Sequence, residues 1–405
     1  MTDQDRPTIR CENVWKVFGP NPRRIVAEWA SCQDLDKIQR LHQTGCVVGT
    51  REATFQVAKG EIYCLMGLSG SGKSTLLRCI NRLHEPTHGQ VYLDDQDITA
   101  MSAGELREFR RKKTGMVFQH FALLPHRRII SNVALGLEIQ GVPKAEREKK
   151  AVETLELVGL QGWEKSYPHE LSGGMQQRVG LARALATNPE ILLMDEAFSA
   201  LDPLIRRQLQ DEFVNLIKKV KKTIVFVTHD LNEALRIASH IAIMKDGAIV
   251  QQGTPAQIVL HPAKGYVEDF VRDLPKIKFI TAADIMEPLD KWAVGPGDSS
   301  ERIIKKMDVE DLRFGFIVSE DQRVLNVLDY YRLVSKDRPV NPAAPPTGES
   351  LGSFFPILYA EPTTFLEELL KMSARSKVPI VVNDEGGKAA GIIPRETLLV
   401  ALTTN

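Results

Sequence analysis

Short apolar runs alternate with helical patterns through the first two thirds of the chain. The runs at 61–66, 190–195 and 223–228 predict buried strands. Between them lie stretches such as 202–222, where apolar residues recur at helical spacing and charged residues fill the other positions. Because alternating strands and helices form largely parallel sheets, residues 1–275 are predicted to be an α/β domain.

Two helical regions interrupt this alternation. An insert at 20–48 separates the early strands and predicts a short helix at about 25–40, with no pattern that indicates a chemistry. A helical subdomain is expected at about 120–187, ahead of the strand at 190–195.

A weak internal repeat begins beyond Pro275. The pattern of residues 299–318, a helix followed by an apolar strand, recurs at 363–382. A proline-rich stretch at 338–346 separates the two copies and predicts an extended linker. Each copy is predicted to form helix, strand, turn, strand, helix. Since a unit of about 60 residues builds a poor core alone, the two copies should pack together.

The composition excludes or disfavours several classes of protein. The 405 residues carry 52 Lys and Arg against 52 Asp and Glu, a balance that excludes a generally polybasic nucleic-acid binder. Five cysteines without a CxxC pair argue against a disulfide framework or zinc site and fit a reducing cytosol. No apolar run approaches the ~18 residues of a membrane span, and the first residues lack the pattern of a signal peptide.

Residues 67–74 read GLSGSGKS, the spacing of a phosphate-binding loop. The loop follows an apolar strand and precedes a predicted helix at 75–82, which is the context that the motif requires. Its glycines allow backbone N–H groups to face phosphate oxygens, Lys73 neutralises the β- and γ-phosphates, and Ser74 can bind Mg²⁺. The predicted nucleotide-binding residues of this loop are Gly67, Ser69, Gly70, Gly72, Lys73, Ser74 and Thr75.

An acidic pair follows the apolar run at 191–194. Asp195 ends the predicted strand, where it is directed toward a metal ion. Glu196 points to the other side of the strand end, where it could activate a water molecule. Such a pair alone is usually solvated surface, but the phosphate loop in the same domain favours a catalytic interpretation.

The segment LSGGMQ at 171–176 precedes a predicted helix that Asn188 and Pro189 end. Ser172 could simply cap this helix. Alternatively, the Ser-Gly-Gly start presents a hydroxyl and free N–H groups to an anion. Because the phosphate loop already accounts for one nucleotide, a second anion site needs an explanation of its own.

The order of the motifs resembles that of the ATP-binding-cassette (ABC) ATPases. The series runs from the phosphate loop through Gln119, LSGGMQ, ILLMDE and SALD at 199–202 to His229. In that family the LSGGMQ segment completes the ATP site of the opposite subunit, which explains the second anion site. The resemblance therefore implies that Ser172, Gly173 and Gly174 bind the partner's ATP.

The same resemblance implies roles for the remaining motif residues. Gln119 would bind Mg²⁺ and sense the attacking water, while Asp195 would bind Mg²⁺. Glu196 would be the general base, and His229 would contact the γ-phosphate as a third catalytic residue. Asp202 would lie at the dimer interface, beside the nucleotide.

Two further expectations come from the family. Phe18 would stack on adenine, with the nearby Trp15 as a rival. The apolar stretch after Gln119 would receive helices of a membrane subunit, so Phe121, Leu123 and Leu124 should be partly exposed. The alternative is that this stretch is ordinary core of the helical subdomain.

A closer resemblance covers nearly the whole chain and concerns the ATPase subunits of glycine betaine/proline-type importers. The matching segments are 65–70, 110–113, 116–119, 170–174 and 193–205, together with the insert. The C-terminal copies resemble cystathionine-β-synthase (CBS) domains. The implied fold is an α/β P-loop ABC ATPase domain, with a mixed or parallel sheet and a helical subdomain, followed by an α+β tandem CBS module with repeats at 278–337 and 347–405.

This resemblance implies an ATPase of the quaternary-amine-transporting translocase class that uses ATP and Mg²⁺. It would energise uptake of glycine betaine, proline betaine, choline or a related osmolyte. Its expected partners are a second copy of itself, two copies of a separate permease and, indirectly, a substrate-binding protein, without nucleic acid. Its expected place is the cytoplasmic face of the bacterial inner membrane, as a peripheral subunit.

Two alternatives to transport remain open at this point. One is a soluble ABC ATPase of repair or translation, which would predict coiled-coil insertions or two cassettes in one chain. The other is a soluble regulatory ABC-class ATPase that is not coupled to transport. The second CBS copy also departs from its family: residues 391–397 read GIIPRET and lack the hydroxyl and carboxylate that bind ribose, so we do not expect it to bind a nucleotide.

Overall fold

The computed structural model describes residues 7–30, 45–119, 121–199, 202–220, 222–272, 274, 276–334 and 356–403. The chain divides into two compact units, residues 1–258 and 259–405. The domain boundaries that the sequence suggests, at 275, 278–337 and 347–405, stay predictions. The proline-rich linker at 338–346 lies outside the described residues.

The strands of the first unit form two sheets. They are β1 (Pro7–Phe18), β2 (Val47–Ala58), β3 (Ile62–Met66), β4 (His88–Leu93), β5 (Gln96–Asp97), β6 (Thr114–Val117), β7 (Ile191–Asp195), β8 (Thr223–Thr228), β9 (His240–Lys245) and β10 (Ala248–Gly253). An antiparallel sheet has the order β2-β1-β4-β5, and a six-stranded sheet has the order β10-β9-β3-β8-β7-β6. In the six-stranded sheet β10 pairs antiparallel with β9 and the other strands are parallel.

The parallel sheet agrees with the pattern of apolar runs. The three runs predicted as strands form β3, β7 and β8, and every residue of β7 and β8 is buried. The antiparallel sheet is not predicted by the sequence. Its first two strands are joined through the insert rather than by a short turn, so the local signal of a hairpin is missing.

Helices cover the parallel sheet and build the helical subdomain. The insert begins with α1 (Pro22–Ala30), and the rest of the helix predicted at 25–40 lies outside the described residues. The helices that follow are α2 (Lys73–Ile80), α3 (Ala103–Lys113), α4 (Ile129–Val133), α5 (Leu135–Ile139), α6 (Lys144–Leu157), α7 (Gly173–Ala186), α8 (Pro203–Val220), α9 (Leu231–Ile237) and α10 (Pro255–Leu260), with a 3₁₀ turn at Pro168–Glu170. Helices α4 to α7 lie within the predicted helical subdomain.

The second unit contains two smaller sheets. Its strands are β11 (Glu287–Pro288), β12 (Ala293–Val294), β13 (Phe314–Val318), β14 (Val324–Asp329), β15 (Tyr359–Ala360), β16 (Ile380–Asn383) and β17 (Ala389–Ile393). Its helices are α11 (Tyr266–Val271), α12 (Ala282–Ile285), α13 (Leu289–Trp292), α14 (Ser300–Val309), α15 (Tyr330–Val334), α16 (Leu366–Ser373) and α17 (Arg395–Thr403), with a 3₁₀ turn at Lys276–Lys278. The sheets have the orders β11-β17-β16-β15 and β12-β13-β14.

The two halves of this unit repeat one order of elements. In each half a two-residue strand runs parallel to the first strand of a hairpin, with a helix between them and another after the hairpin. Phe314 and Phe316 of the first half share an apolar core with Val381 and Ile392 of the second. The repeat therefore folds as the sequence predicts, with one core for both copies. Nowhere in the described ranges does a helix have the length and apolarity to cross a membrane.

Candidate functional site

The phosphate-binding loop connects β3 to α2 through a backbone that requires glycine. Gly67, Gly70 and Gly72 have φ values of 153°, 81° and 98°. A Cβ on Gly72 would lie 2.0 Å from the carbonyl oxygen of Gly49, and one on Gly67 would lie 2.3 Å from that of Met244. The loop is therefore held close to neighbouring backbone, directly before the N-terminus of α2.

Lys73 lies inside this loop and is only 4% exposed. Its Nζ donates hydrogen bonds to the carbonyl oxygens of Gly67 and Leu68, each at 2.8 Å. Burial lowers the pKa of Lys73, while the charges of Glu196 and Asp195 act in the opposite direction. The ammonium group is thus held where the loop turns, close to both carboxylates of the acidic pair.

The polar residues around Lys73 differ in exposure. Ser69 and Gly70 are exposed, whereas Ser74 and Thr75 are half-buried in the first turn of α2. Ser71 is 5% exposed, and its Oγ has no hydrogen-bond partner.

Phe18 and Trp15, the two candidates for adenine stacking, lie in very different surroundings. Trp15 is 3% exposed, and its Nε1 donates to Asn13 Oδ1 at 3.0 Å. Phe18 is 36% exposed, and a Cβ on Gly49 would lie 2.8 Å both from Cε2 of Phe18 and from Cγ2 of Thr75. The ring of Phe18 therefore borders the phosphate-binding loop, and the structure favours it over Trp15.

Three side chains meet at the carboxyl ends of adjacent parallel strands. Gln119 follows β6, Glu196 follows β7 and His229 follows β8. Gln119 Nε2 donates to Glu196 Oε2 at 3.1 Å, and His229 Nδ1 lies 3.6 Å from the same oxygen. Because parallel neighbours end at one edge of a sheet, residues far apart in sequence converge on one carboxylate.

The backbone of Glu196 is unusual for a residue with a side chain. Its φ is 44°, in the left-handed region, and its N–H donates to the carbonyl oxygen of Val227 at 3.2 Å. Such strain persists where the surroundings fix it and is frequent at active sites. Here it aims the Glu196 side chain at Gln119 and His229.

Asp195 is 2% exposed and its two carboxylate oxygens have different partners. Oδ2 accepts a hydrogen bond from Arg78 Nη2 at 3.0 Å, whereas Oδ1 is buried without a partner. Among the described residues no cluster of three or more His, Cys, Asp or Glu side chains could hold a metal ion. Mg²⁺ in nucleotide sites is typically held by one or two carboxylates plus phosphates and water, so the free Oδ1 and the Ser74 hydroxyl fit such an ion.

Arg78 is the site residue that the sequence analysis missed. It stands in the last turn of α2, whose neighbouring residues Leu76, Leu77, Cys79 and Ile80 are all buried. Apart from Lys73 at its start, Arg78 is the one charged residue of this helix, and a charge among buried apolar neighbours is the signal that could have revealed it, because such a charge needs a partner nearby.

The LSGGMQ segment lies at the start of α7. Ser172 caps this helix, and its Oγ accepts a hydrogen bond from the Met175 N–H at 3.4 Å. Ser172 and Gly173 are exposed and Gly174 is half-buried. In the described part of the chain the Ser172 hydroxyl makes no hydrogen bond with the phosphate-binding loop of its own subunit. The capping role is thus present, and it leaves the segment open to solvent.

The remaining predicted residues also lie at the surface. Asp202 is exposed just before α8, and its carbonyl oxygen accepts from the Arg206 N–H at 2.9 Å. Residues 200 and 201 of the SALD motif lie outside the described residues. Phe121, Leu123 and Leu124 are half-buried, which agrees with the partial exposure expected of them.

Comparison with known proteins gives a consistent answer. The family model described as "ABC transporter" matches residues 50–199, and the "CBS domain" model matches residues 355–404. The chain is 46% identical to the glycine betaine transport ATP-binding protein OpuAA of Bacillus subtilis, over 100% of this chain and 95% of that protein. It is 45% identical to the glycine betaine/carnitine transport ATP-binding protein GbuA of Listeria monocytogenes, over 98% of both.

Solved structures agree on the fold of the first unit. The dimeric, post-hydrolysis structure of the ATP-binding cassette MJ0796, bound to ADP and Pi, superposes with a TM-score of 0.51 at 33% identity. The match covers 61% of this chain and 98% of the other. Together with the relatives that match over their whole length, this likeness shows that the chain belongs to the ABC transporter family, as an ATP-binding protein with a C-terminal CBS domain.

Proposed function

We propose that the chain is the ATP-hydrolysing subunit of an ABC importer, an ATP-driven translocase for a quaternary amine such as glycine betaine. The convergence of Gln119 and His229 on Glu196, beside a phosphate-binding loop, is the observation that carries the hydrolytic part. The substrate class is supported by the names of OpuAA and GbuA, which match this chain along almost its full length.

ATP would bind through the phosphate-binding loop. The backbone N–H groups of Gly67, Ser69, Gly70 and Gly72 would face the phosphate oxygens, with Ser74 and Thr75 at the helix start. Lys73 Nζ, now on two loop carbonyls, would move its hydrogen bonds to the β- and γ-phosphates. Phe18 would stack on the adenine ring, because its exposed face borders the same helix start.

Mg²⁺ would be held by Ser74, Asp195 and Gln119. When bound, the ion would supply positive charge against the phosphates. The buried Oδ1 of Asp195 supports this assignment, since a carboxylate oxygen without a partner is costly unless a ligand or water uses it.

Glu196 would act as the general base for the attacking water. The side-chain amide of Gln119 would donate a hydrogen bond to the Glu196 carboxylate, and His229 would lie beside the same carboxylate and contact the γ-phosphate. Fixing the base between two side chains reduces the reorganisation needed when it accepts the proton from water.

The LSGGMQ segment would act across a homodimer. Ser172, Gly173 and Gly174 would bind the ATP held by the partner's phosphate-binding loop, with Asp202 at the interface. Their exposure supports this arrangement, and the MJ0796 cassette structure is itself dimeric. The N–H groups at the start of a helix such as α7 point toward an approaching anion.

Two copies of a permease and, through them, a substrate-binding protein would complete the transporter. The chain would lie on the cytoplasmic face of the bacterial inner membrane, as a peripheral subunit. The half-buried Phe121, Leu123 and Leu124 support a contact with the permease, because these apolar side chains remain partly open to solvent.

Uptake of labelled glycine betaine tests the proposal. The chain is purified with its permease from native membranes and reconstituted, and uptake is compared with ATP inside or outside the proteoliposome. We expect uptake only with ATP on the side of this subunit, and none with Glu196→Gln. ATP hydrolysis without uptake of any quaternary amine would contradict the proposed substrate class and favour a regulatory ATPase that is not coupled to transport.

A further inference from the structure

An ion pair ties the phosphate-binding helix to the end of the metal-binding strand. Arg78 projects from the last turn of α2, the helix that begins at Lys73, and its Nη2 donates to Asp195 Oδ2 at 3.0 Å. The pair thereby joins α2 to β7.

The two partners of this pair have very different exposure. The Asp195 side chain is 3% exposed, whereas that of Arg78 is 43% exposed. A buried carboxylate without a counter-charge is strongly unfavourable, so Asp195 depends on Arg78 more than Arg78 depends on Asp195. Lys73 carries the other positive charge near Asp195, but its Nζ is bonded to carbonyl oxygens of the loop.

The bond to Arg78 also distinguishes the two oxygens of the carboxylate. With Oδ2 held, the carboxylate plane is no longer free to rotate, and Oδ1 is left buried without a partner. A fixed acceptor atom with no partner is the arrangement expected of a group that waits for a cation or for its bound water.

We propose that Arg78 is a positioning residue for Mg²⁺: it holds Asp195 through Oδ2 and thereby presents Oδ1 to the ion. This inference rests on the proposed ATPase function. In this role Arg78 would bind Asp195 and would touch neither nucleotide nor metal. It acts as the partner of a metal ligand, and loss of such partners typically weakens metal binding by about 10–100-fold.

The matched control is the ion pair of Arg111 with Glu108. Arg111 also lies on a helix of the first unit, its side chain is 42% exposed, and its Nη1 lies 2.6 Å from Glu108 Oε1. Glu108 is 55% exposed. The control pair therefore contains an arginine about as exposed as Arg78, but its carboxylate is not buried. Arg78→Met and Arg111→Met therefore remove similar side chains with different consequences.

The measurement is the affinity of the full-length chain for a fluorescent ATP analogue, in Mg²⁺ and in excess EDTA. Wild type should bind more tightly with Mg²⁺. Arg78→Met should weaken binding in Mg²⁺ by about 10–100-fold and leave binding in EDTA unchanged. Arg78→Lys, which keeps the charge, should recover part of the loss and serves if Arg78→Met does not fold. Arg111→Met should behave as wild type.

A double-mutant cycle shows whether Arg78 acts through Asp195. In an Asp195→Asn background, Arg78→Lys and Arg78→Met should add little further loss, because the positioned group is already gone. Equal Mg²⁺ dependence in wild type and Arg78→Met, stronger Mg²⁺ dependence in Arg78→Met, or fully additive losses would each overturn the inference. If wild type itself shows no Mg²⁺-dependent binding, the proposed function fails and the inference fails with it.

Discussion

The two units of the chain differ in how their buried charged residues are partnered. In the first unit Lys73 and Asp195 are 4% and 2% exposed, and Asp195 Oδ1 has no partner. In the described part of the second unit the buried polar residues are Ser373 and Asp329, and Asp329 accepts from the Tyr331 N–H at 3.0 Å and lies 3.6 Å from Arg313. Because buried charge is costly unless a partner or ligand compensates it, the comparison locates ligand chemistry in the first unit and packing in the second.

In the second CBS copy, the positions that correspond to the ribose-binding residues of CBS repeats make packing contacts within the unit. A Cβ on Gly391 would lie 2.8 Å from the carbonyl oxygen of Glu287, so the glycine permits the close pairing of β11 with β17. The hydroxyl of Thr397 donates to Glu287 Oε1 at 3.1 Å. Both groups are therefore engaged within the unit, and the absence of nucleotide binding by this repeat stays a prediction.

The largest expected effect is the loss of the proposed base. Glu196→Gln keeps the size of the side chain and removes its basicity, so ATP hydrolysis should fall by ~10²–10⁴ while ATP binding survives. The variant should accumulate an ATP-loaded dimer that is visible by size exclusion. Turnover close to that of wild type would show that Glu196 is not the base.

Mixed subunits test whether the site is shared between two chains. Lys73→Ala and Ser172→Arg should each inactivate a homodimer, but a mixed dimer combines both defects at one site and leaves the other intact. Hydrolysis should therefore reappear in the mixture. In an equimolar mixture it should reach about a quarter of the wild-type rate if one sound site can act alone, because about half of the randomly assembled dimers are mixed and each has one sound site. The measurement is phosphate release as a function of the mixing ratio.

A cross-link separates the two explanations of a failed rescue. Cysteines placed at the exposed Ser69 and Ser172 of different subunits should form a disulfide in the ATP-loaded dimer. The background should be low because the described cysteines Cys11, Cys46, Cys64 and Cys79 are buried. A cross-link without rescue means that both sites must act together. Neither cross-link nor rescue means that Ser172 does not face the partner's loop.

A third prediction concerns stability rather than chemistry. Burial, and then the charge of Asp230, raise the pKa of Glu233 to about 7, against an ordinary value of 4.5, although Thr228 Oγ1 donates a hydrogen bond to its carboxylate. The folded state then binds the proton more tightly than the unfolded state. Below about pH 4.5 this proton stabilises the folded state by the full amount, on the order of 3 kcal/mol. The stabilisation is lost as the pH rises to about 7 and above.

Glu233→Gln should remove this pH dependence. The amide retains a carbonyl oxygen for the Thr228 hydroxyl and cannot ionise, so the variant should be more stable than wild type at pH 8. Urea unfolding at several pH values measures the effect. Glu153→Gln, at an exposed position of α6, is the control and should leave the curve unchanged. Parallel curves for wild type and Glu233→Gln would contradict the account.

The parallel sheet and its motifs are the parts that the sequence predicts best. Strands β3, β7 and β8 are short and mostly apolar, and they are followed by glycine, glutamate and histidine, so both their extent and the chemistry at their ends are local signals. The Glu196 cluster also follows, once the strands are parallel, because their carboxyl ends share one edge. These features need no knowledge of distant contacts.

Other features depend on contacts that no local pattern encodes. The preference for Phe18 over Trp15 as the adenine-stacking residue stays a prediction, and it rests on exposure, 36% against 3%, which residue type does not reveal. The pair of Arg78 with Asp195 joins residues that are 117 positions apart. The close approach of Gly391 to Glu287 depends on the pairing of β11 with β17, which the repeat pattern does not predict.

The smallest expected effect is on hydrolysis after removal of the second unit. Ion pairs on its surface, such as Lys371 with Glu367, are exposed and screened by salt, with a Debye length of ~8 Å at 0.15 M. Truncation after residue 275 should therefore alter how transport-coupled hydrolysis responds to ionic strength. An unchanged salt response would leave the second unit as an assembly element.

The rate of ATP hydrolysis by residues 1–275 tests the contrast between the two units most directly. The MJ0796 cassette, which covers 61% of this chain, shows that a protein of this size folds without a second unit. With the Glu196 cluster and the phosphate-binding loop intact, the truncated chain should hydrolyse ATP within a few-fold of the full-length rate. A folded truncated chain whose hydrolysis falls by ~10² or more would contradict the account and place part of the chemistry in the second unit.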